Sequence, residues 1–364
     1  MHIPENYLSP QTCGVIAVAM VPVWVRAARH MREEVPRQKM PLVGVAAAFC
    51  FLAMMFNIPL PGGTTGHAVA GTLVAILFGP WTACIAISIA LAIQAVLFGD
   101  GGILALPANC LNMAFVLPMC GYAVFSLVRR RQARHAGEKD GGSGSSGLGQ
   151  ELRAAGIASY VGINAAALCC ALELGIQPLL FHDAAGRALF CPYPLWVSVP
   201  AMMIGHLTVW GAAEVVFTVG ILGFVRRVAP DFGLARFGGT GLAGASDDVG
   251  AQPAPVRTVR AAGPVLGLVA ALAIATPLGL IATGDAWGEW STADLATRVG
   301  YTPSGMARGW EWSSLMPDYS LGALPSWLGY VLSAVAGVSL LLIAFRLLSG
   351  ASTPKVDFGP RDDD

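Results

Sequence analysis

The chain has 364 residues, of which 55% are hydrophobic and only 12% charged, and its formal net charge is zero. Soluble domains carry about 25% charged residues. Half that fraction cannot cover a globular surface, so a water-surrounded domain is excluded and lipid must be the solvent for most of the length.

Apolar runs follow one another at 11–28, 41–58, 67–79, 80–98, 104–128, 152–174, 194–225, 263–283 and 327–349. Most approach the ~20 residues that cross a bilayer as a helix. The third is short, and Gly79-Pro80 in ILFGPW divides it from the fourth. Proline cannot continue a helix there, so the pair is read as two spans joined by a tight turn. Charge supports this. With nine spans and the N-terminus outside, the cytoplasmic segments 26–40, 129–153, 226–262 and the tail from 346 hold 19 of the 22 Lys and Arg residues. The external loops keep only Arg187, Arg298 and Arg308, a strong positive-inside bias. Merging runs three and four would put RRRQAR at 129–134 on the wrong side.

The expected fold is an all-α integral membrane protein: a seven-helix bundle over 1–225 and two further helices in 263–349. Residues 226–262, rich in Gly, Ala and Pro, form a cytoplasmic linker, and 350–364 a cytoplasmic tail. The segments 129–151 and 226–262 hold few large apolar groups and are expected to be flexible. The external loop 284–326 is acidic and aromatic and holds four of the nine tryptophans. An interfacial belt is one reading of it; docking onto the outer face of the larger unit is the other. The eight cysteines lack metal-finger spacing, and a thiol in an apolar run behaves as a small hydrophobe. No signal-peptide pattern precedes the first span, so the mature chain is expected to start at Met1.

The opening MHIPENYLSP puts a histidine beside the α-amino group. The amine, the His2 backbone nitrogen and the His2 Nδ1 bind one metal through a five- and a six-membered ring. The backbone nitrogen binds only after losing its proton, which Ni²⁺ and Cu²⁺ promote, and square-planar nitrogen coordination suits those ions. The plain alternative is a surface residue at a frayed terminus. His67 ends the turn NIPLPGGTTGH, where Gly62, Gly63 and Gly66 allow tight folding. It is either an interfacial polar group or a partner for His2 on the same membrane face. Asn109 and Asn112 stand one helical turn apart after the loop containing Asp100. His206, Glu214 and Thr218 lie along the seventh span, where a polar or ionisable group serves function or glues helices.

MHIPENYLSP, PGGTTGHAVAGTLVAILFGPW, QAVLFGDGGILALPANCLNMAF and GHLTVWGAAEVVFT resemble, in order, signatures of the substrate-capture (S) components of cobalt/nickel energy-coupling-factor transporters, the CbiM/NikM family. The tail from about 263 resembles, through GDAWGEWS and MPDYSL, the NikN-like companion that some nickel systems fuse to the capture protein. The resemblance implies a multi-pass protein of the bacterial inner membrane whose cargo is Ni²⁺, or else Co²⁺ for cobalamin synthesis. It implies Met1, His2 and His67 as the metal ligands. Asp100, Asn109 and Asn112 are then expected to hydrogen-bond the ligands, with His206 and Glu214 as further support. ENY stands where the family often has DGF, a departure expected to affect loop packing alone. No G-x-x-x-x-G-K-[ST] loop is present, so the chain is not expected to be an ATPase or any other enzyme. Its partners would be a coupling transmembrane (T) subunit and ATP-binding cassette ATPases. A membrane metalloenzyme is the remote alternative, but no H-E-x-x-H occurs and the G-x-S-G match GGSG at 141–144 lies in a linker. Gly44 and Ala48, four apart, offer a small-residue face for the coupling partner.

Overall fold

A computed structural model describes residues 1–60, 64–139, 147–230, 232–233, 257–282 and 284–350. Gly62, Gly63, the GGSG stretch and most of the 226–262 linker lie outside the described residues. Helix α1 (Pro10–Glu34) begins at a Ser9 cap, whose Oγ accepts from the Thr12 N–H at 3.0 Å, with Pro10 in the first turn. It exposes Val15, Val18, Val21 and Val25, the surface that lipid covers. Helix α2 (Met40–Met55) is buried on almost every face, which explains its lack of an amphipathic stripe.

The third crossing differs from the expected full helix. Strands β1 (Ile58–Leu60) and β2 (Thr64–Gly66) pair antiparallel, Ile58 opposite Gly66. Helix α3 (Gly71–Phe78) has eight residues, about 12 Å at 1.5 Å per residue, and fills only the inner half of the crossing. Among the described residues the outer half is non-helical, two strands and the coil 67–70, and the proline and glycine content of this stretch disfavours a helix. Such backbone is tolerated at membrane depth where protein surrounds it.

Helix α4 (Pro80–Ile93) follows the Gly79 turn and ends in a π-helical turn, Gln94–Phe98. The fifth crossing is α5 (Leu106–Asn109), a π-helical stretch Cys110–Val116 and α6 (Leu117–Lys139). Helix α7 (Gly147–Gly175) is followed by the single turn α8 (Gln177–Leu180). Residues 129–139 and 147–153 therefore extend helices, correcting the expectation of a flexible segment from 129 to 151; charged side chains beyond the bilayer do not stop a helix. The seventh run divides into α9 (Leu195–Leu207) and α10 (Val209–Val228), broken at Thr208, whose Oγ1 donates back to the Ile204 carbonyl at 2.6 Å. Serial packing along α7 keeps them one crossing: Gly175 and Ser198 meet near the outer end, Gly223 and Leu152 near the inner end.

The C-terminal unit consists of α11 (Arg257–Ala275), a 3₁₀ stretch Thr276–Ile281, the short helices α12 (Thr292–Val299) and α13 (Ser304–Ala307), and α14 (Ser326–Gly350). Helix α14 lies on α2. A Cβ on Gly44 would stand 3.0 Å from that of Phe345, and Gly337 abuts the Phe51 ring. The small-residue face of α2 is thus occupied by the chain's own last helix, which corrects the coupling-partner assignment. Among the described residues, eight helices are long and apolar enough to cross a membrane, α3 being the short exception among nine crossings. All eight cysteines are free.

The ends sort by charge. Lys39 Nζ donates to the Gly233 carbonyl at 2.6 Å, and the Gly79 turn sits against Glu34, gathering the basic segments at one end. The opposite end collects residues 1–9, 57–60, 64–70, 99–105, 181–194 and 284–325. The Cys191 N–H donates to the Tyr7 carbonyl at 3.0 Å and the Gly305 N–H to the Leu189 carbonyl at 2.8 Å.

Candidate metal centre

The first residues do not fray. Met1, His2, Ile3, Tyr7, Leu8 and Ser9 are buried, and the segment enters the outer half of the bundle as backbone held by side chains. Asn109 clamps Ile3 in both directions: its Oδ1 accepts the Ile3 N–H at 2.7 Å and its Nδ2 donates to the Ile3 carbonyl at 3.1 Å. Glu5 accepts the Ile103 N–H at 2.6 Å, and Gln177 Oε1 accepts the Ser9 N–H at 3.0 Å. Chain approaches chain here so closely that a Cβ on Gly102 would lie 2.7 Å from the Glu5 backbone.

His67 is delivered by the hairpin. Gly66 lies flat on Trp210, where a Cβ would stand 2.6 Å from the indole. Glu214 reaches from α10 to accept the Val69 and Ala70 N–H groups on one oxygen, at 2.7 and 2.9 Å. That carboxylate serves as the missing cap of α3, whose entry residue Ala70 has a left-handed φ of 58°.

The two imidazoles meet. Their ring centroids are 4.9 Å apart, and His67 Nε2 faces His2 Nδ1 at 3.2 Å. His67 Nδ1 lies 3.1 Å from the Ala68 carbonyl. Only an N–H can pair with a carbonyl, so Nδ1 carries the proton and Nε2 presents a lone pair. Asp100 Oδ1 approaches the same His2 Nδ1 at 3.1 Å. Nδ1 therefore carries a proton between two acceptors, and a cation that displaced it would meet donors already converged. Two nitrogens bound cis to one ion at about 2.0 Å lie about 2.9 Å apart, a few tenths of an ångström from the separation seen here. Burial disfavours the charged imidazolium of His2 and lowers its pKa against the pull of Asp100.

The Met1 amine, buried with its residue, donates to Glu289 Oε1 at 3.4 Å. Burial pushes the Glu289 carboxyl up to about 7; the amine opposes this, and Asp100 and Asp285 add to it. A cavity of about 490 Å³ lies between the two units and is lined by His2, His67, Asp100, Glu289 and Tyr319. Among the described residues no three His, Cys, Asp or Glu side chains are arranged to hold a metal. A nitrogen set at this place depends on the amine and the His2 backbone nitrogen.

The sequence matches the cobalt uptake substrate-specific transmembrane region over residues 2–232. The chain belongs to that family. A PDGLE domain matches residues 264–351, so this member of the cobalt-uptake family carries its second unit by fusion. The fused nickel transport protein NikMN of Rhodobacter capsulatus is 44% identical, over 96% of this chain and 97% of that protein. The probable fused nickel transport protein LarMN of Lactiplantibacillus plantarum is 43% identical, over 95% and 97%. The crystal structure of a truncated transition metal transporter is 47% identical, with a TM-score of 0.55 over 62% of this chain and 99% of that one.

Not every expected supporting residue reaches the centre. Asp100 contacts His2, Asn109 holds Ile3, and Glu214 fixes the start of α3 below His67. Asn112 donates to Glu173 at 2.7 Å instead, turned away from Asn109 where the π-helical stretch begins. His206 bonds the Met202 carbonyl through Nδ1 at 2.8 Å and stands edge-on to Trp210, behind the hairpin. The ENY triplet does more than pack a loop: Tyr7 Oη donates to the Trp290 carbonyl at 2.7 Å and Asn6 Nδ2 to the Trp310 carbonyl at 2.9 Å. Sequence reasoning missed Gln94, Gln177, Glu289 and Tyr319. The only sequence signal for the last two was the acidic, aromatic character of their loop.

Proposed function

We propose that the chain is the substrate-binding subunit of an ATP-driven importer and that its cargo is Ni²⁺. The Met1 amine, the His2 backbone nitrogen, His2 Nδ1 and His67 Nε2 form the four corners of the site. The observation that carries this is the facing pair of imidazole nitrogens, 3.2 Å apart and buried beside the terminal amine. Four nitrogens in a plane suit Ni²⁺, and the similar full-length fused proteins are named for nickel transport. Co²⁺ is the second reading, favoured by the family's own description as cobalt uptake.

In this reading residues 1–225 capture the ion, 226–262 link, and 263–349 close over the outer face. Binding removes a proton from the ammonium and one from the peptide nitrogen. ATP is hydrolysed by separate ATP-binding cassette subunits and the work is transmitted through a coupling transmembrane (T) subunit, since the chain has no phosphate loop of its own.

The experiment is nickel and cobalt binding and uptake, with partners co-expressed, for two chains. One carries a short peptide before Met1, the other the same peptide after Asp364. Loss with the N-terminal peptide alone is the expected result. Retention in both removes the amine from the ligand set. Competition between the two ions in the same assay decides the cargo.

A further inference from the structure

Two buried atoms at the centre lack a hydrogen-bond partner: Nε2 of His2 and Oε1 of Gln94. Buried polar atoms are nearly always paired, and an exception calls for a reason. These two are complementary, a ring nitrogen that carries a proton in one tautomer and a carbonyl oxygen that accepts one, and both side chains meet the same Asp100 carboxylate. Gln94 is fully buried and opens the π-helical turn that ends α4; such turns are frequent at functional sites. Its amide orientation is fixed. Nε2 donates to Tyr319 Oη at 3.0 Å and to Asp100 Oδ2 at 3.4 Å, and a flipped amide would set oxygen against the carboxylate. Asp100 presents its other oxygen to His2 Nδ1, so Gln94, Asp100 and His2 form one connected group.

We propose that Gln94 is a positioning residue for metal capture: its Oε1 accepts a hydrogen bond from His2 Nε2–H and so holds the ring in the tautomer that ligates through Nδ1. The proposal rests on the reading that His2 Nδ1 binds the ion. In the empty site the ring proton sits on Nδ1, between Asp100 and His67. On capture that proton passes to water, the Nδ1 lone pair binds the ion, and a proton from water adds to Nε2. The ring is neutral before and after, so this exchange releases no net proton. The unpaired atoms of the empty site become a hydrogen-bonded pair in the loaded one, which favours loading.

The test uses the full chain in lipid nanodiscs, ¹⁵N-labelled at the histidine rings and loaded with Ni²⁺. Square-planar Ni²⁺ is diamagnetic, so the ring nitrogens can be observed. The expected spectrum shows His2 Nε2 bearing a proton and Nδ1 bearing none. A loaded wild-type protein with Nε2 unprotonated overturns the proposal without any variant. Gln94→Met keeps the length and removes the acceptor; it is expected to weaken Ni²⁺ binding roughly 10–100-fold and to speed exchange of the Nε2 proton with water. Wild-type affinity in Gln94→Met, where His67→Ala abolishes binding, overturns the role of Gln94 alone. Wild-type affinity in His67→Ala overturns the ligand assignment itself.

Discussion

Glu289 accepts a hydrogen bond from the amine of Met1 at 3.4 Å, across 288 positions of sequence. The contact ties the fused C-terminal unit to the first atom of the chain. Replacing Glu289 with Gln removes the charge of a partly buried pair worth about 1 kcal/mol. Hydrogen exchange of residues 1–9 is expected to rise roughly fivefold, with α7 unaffected. Unchanged exchange would show that the bonds at Ile3, Glu5, Tyr7 and Ser9 hold the segment without it.

Glu214 satisfies two buried N–H groups with one oxygen. Glu214→Ala orphans both, at about 1–3 kcal/mol each, and releases the start of α3 below His67. The expected result is a lowered unfolding temperature and weaker Ni²⁺ binding, while Glu214→Gln, which keeps an acceptor, loses less. Thermal unfolding with and without Ni²⁺ separates the two effects.

Gly66→Ala drives a methyl group to 2.6 Å from Trp210. The hairpin must then lift His67 off its seat, and a loss of Ni²⁺ affinity of roughly 5–150-fold is expected, since overpacking of this kind typically costs about 1–3 kcal/mol. Gly14→Ala is the control: nothing lies within 4 Å of the added carbon, and binding should be unchanged. Equal losses in both would place the defect in the membrane insertion of the protein.

Capture should weaken with acidification. The ammonium and the His2 peptide nitrogen each give up one proton per ion. Burial holds the His2 pKa below its ordinary value, so its ring stays neutral and adds no third proton until the pH falls below that lowered value. Affinity should fall by roughly 100-fold per pH unit while both protons are bound. Calorimetry in buffers of differing ionisation enthalpy should count close to two protons per Ni²⁺; a count near one removes the amine or the peptide nitrogen from the ligand set.

The crossings were legible because a membrane span is a local property of about 20 residues, and the bias in Lys and Arg set their sides. That His2 and His67 would lie on one membrane face was legible from the order of the spans, and the structure brings their rings together. Other features depend on pairings between distant segments. The seating of the hairpin and of the start of α3 depends on how Gly66 meets Trp210 and how Glu214 reaches Val69 and Ala70, and no window of sequence contains all of these. Asn109 and Asn112 were expected to serve one site, but the π-helical stretch beginning at Cys110 sends Asn112 to Glu173. Gly44 carried a true signal of close packing, yet its spacing could not say that the neighbour is Phe345 of the same chain.

The contact between Met1 and Glu289 also sets an order in time. Residues 1–9 are synthesised before α1 to α11, and Glu289 and Tyr319 only after them. Until the last hairpin enters the membrane, the pocket around His2 and His67 has an outer wall missing. A chain that ended before Glu289 would lack the C-terminal residues that line the cavity. The enclosure therefore needs both units of the chain in place.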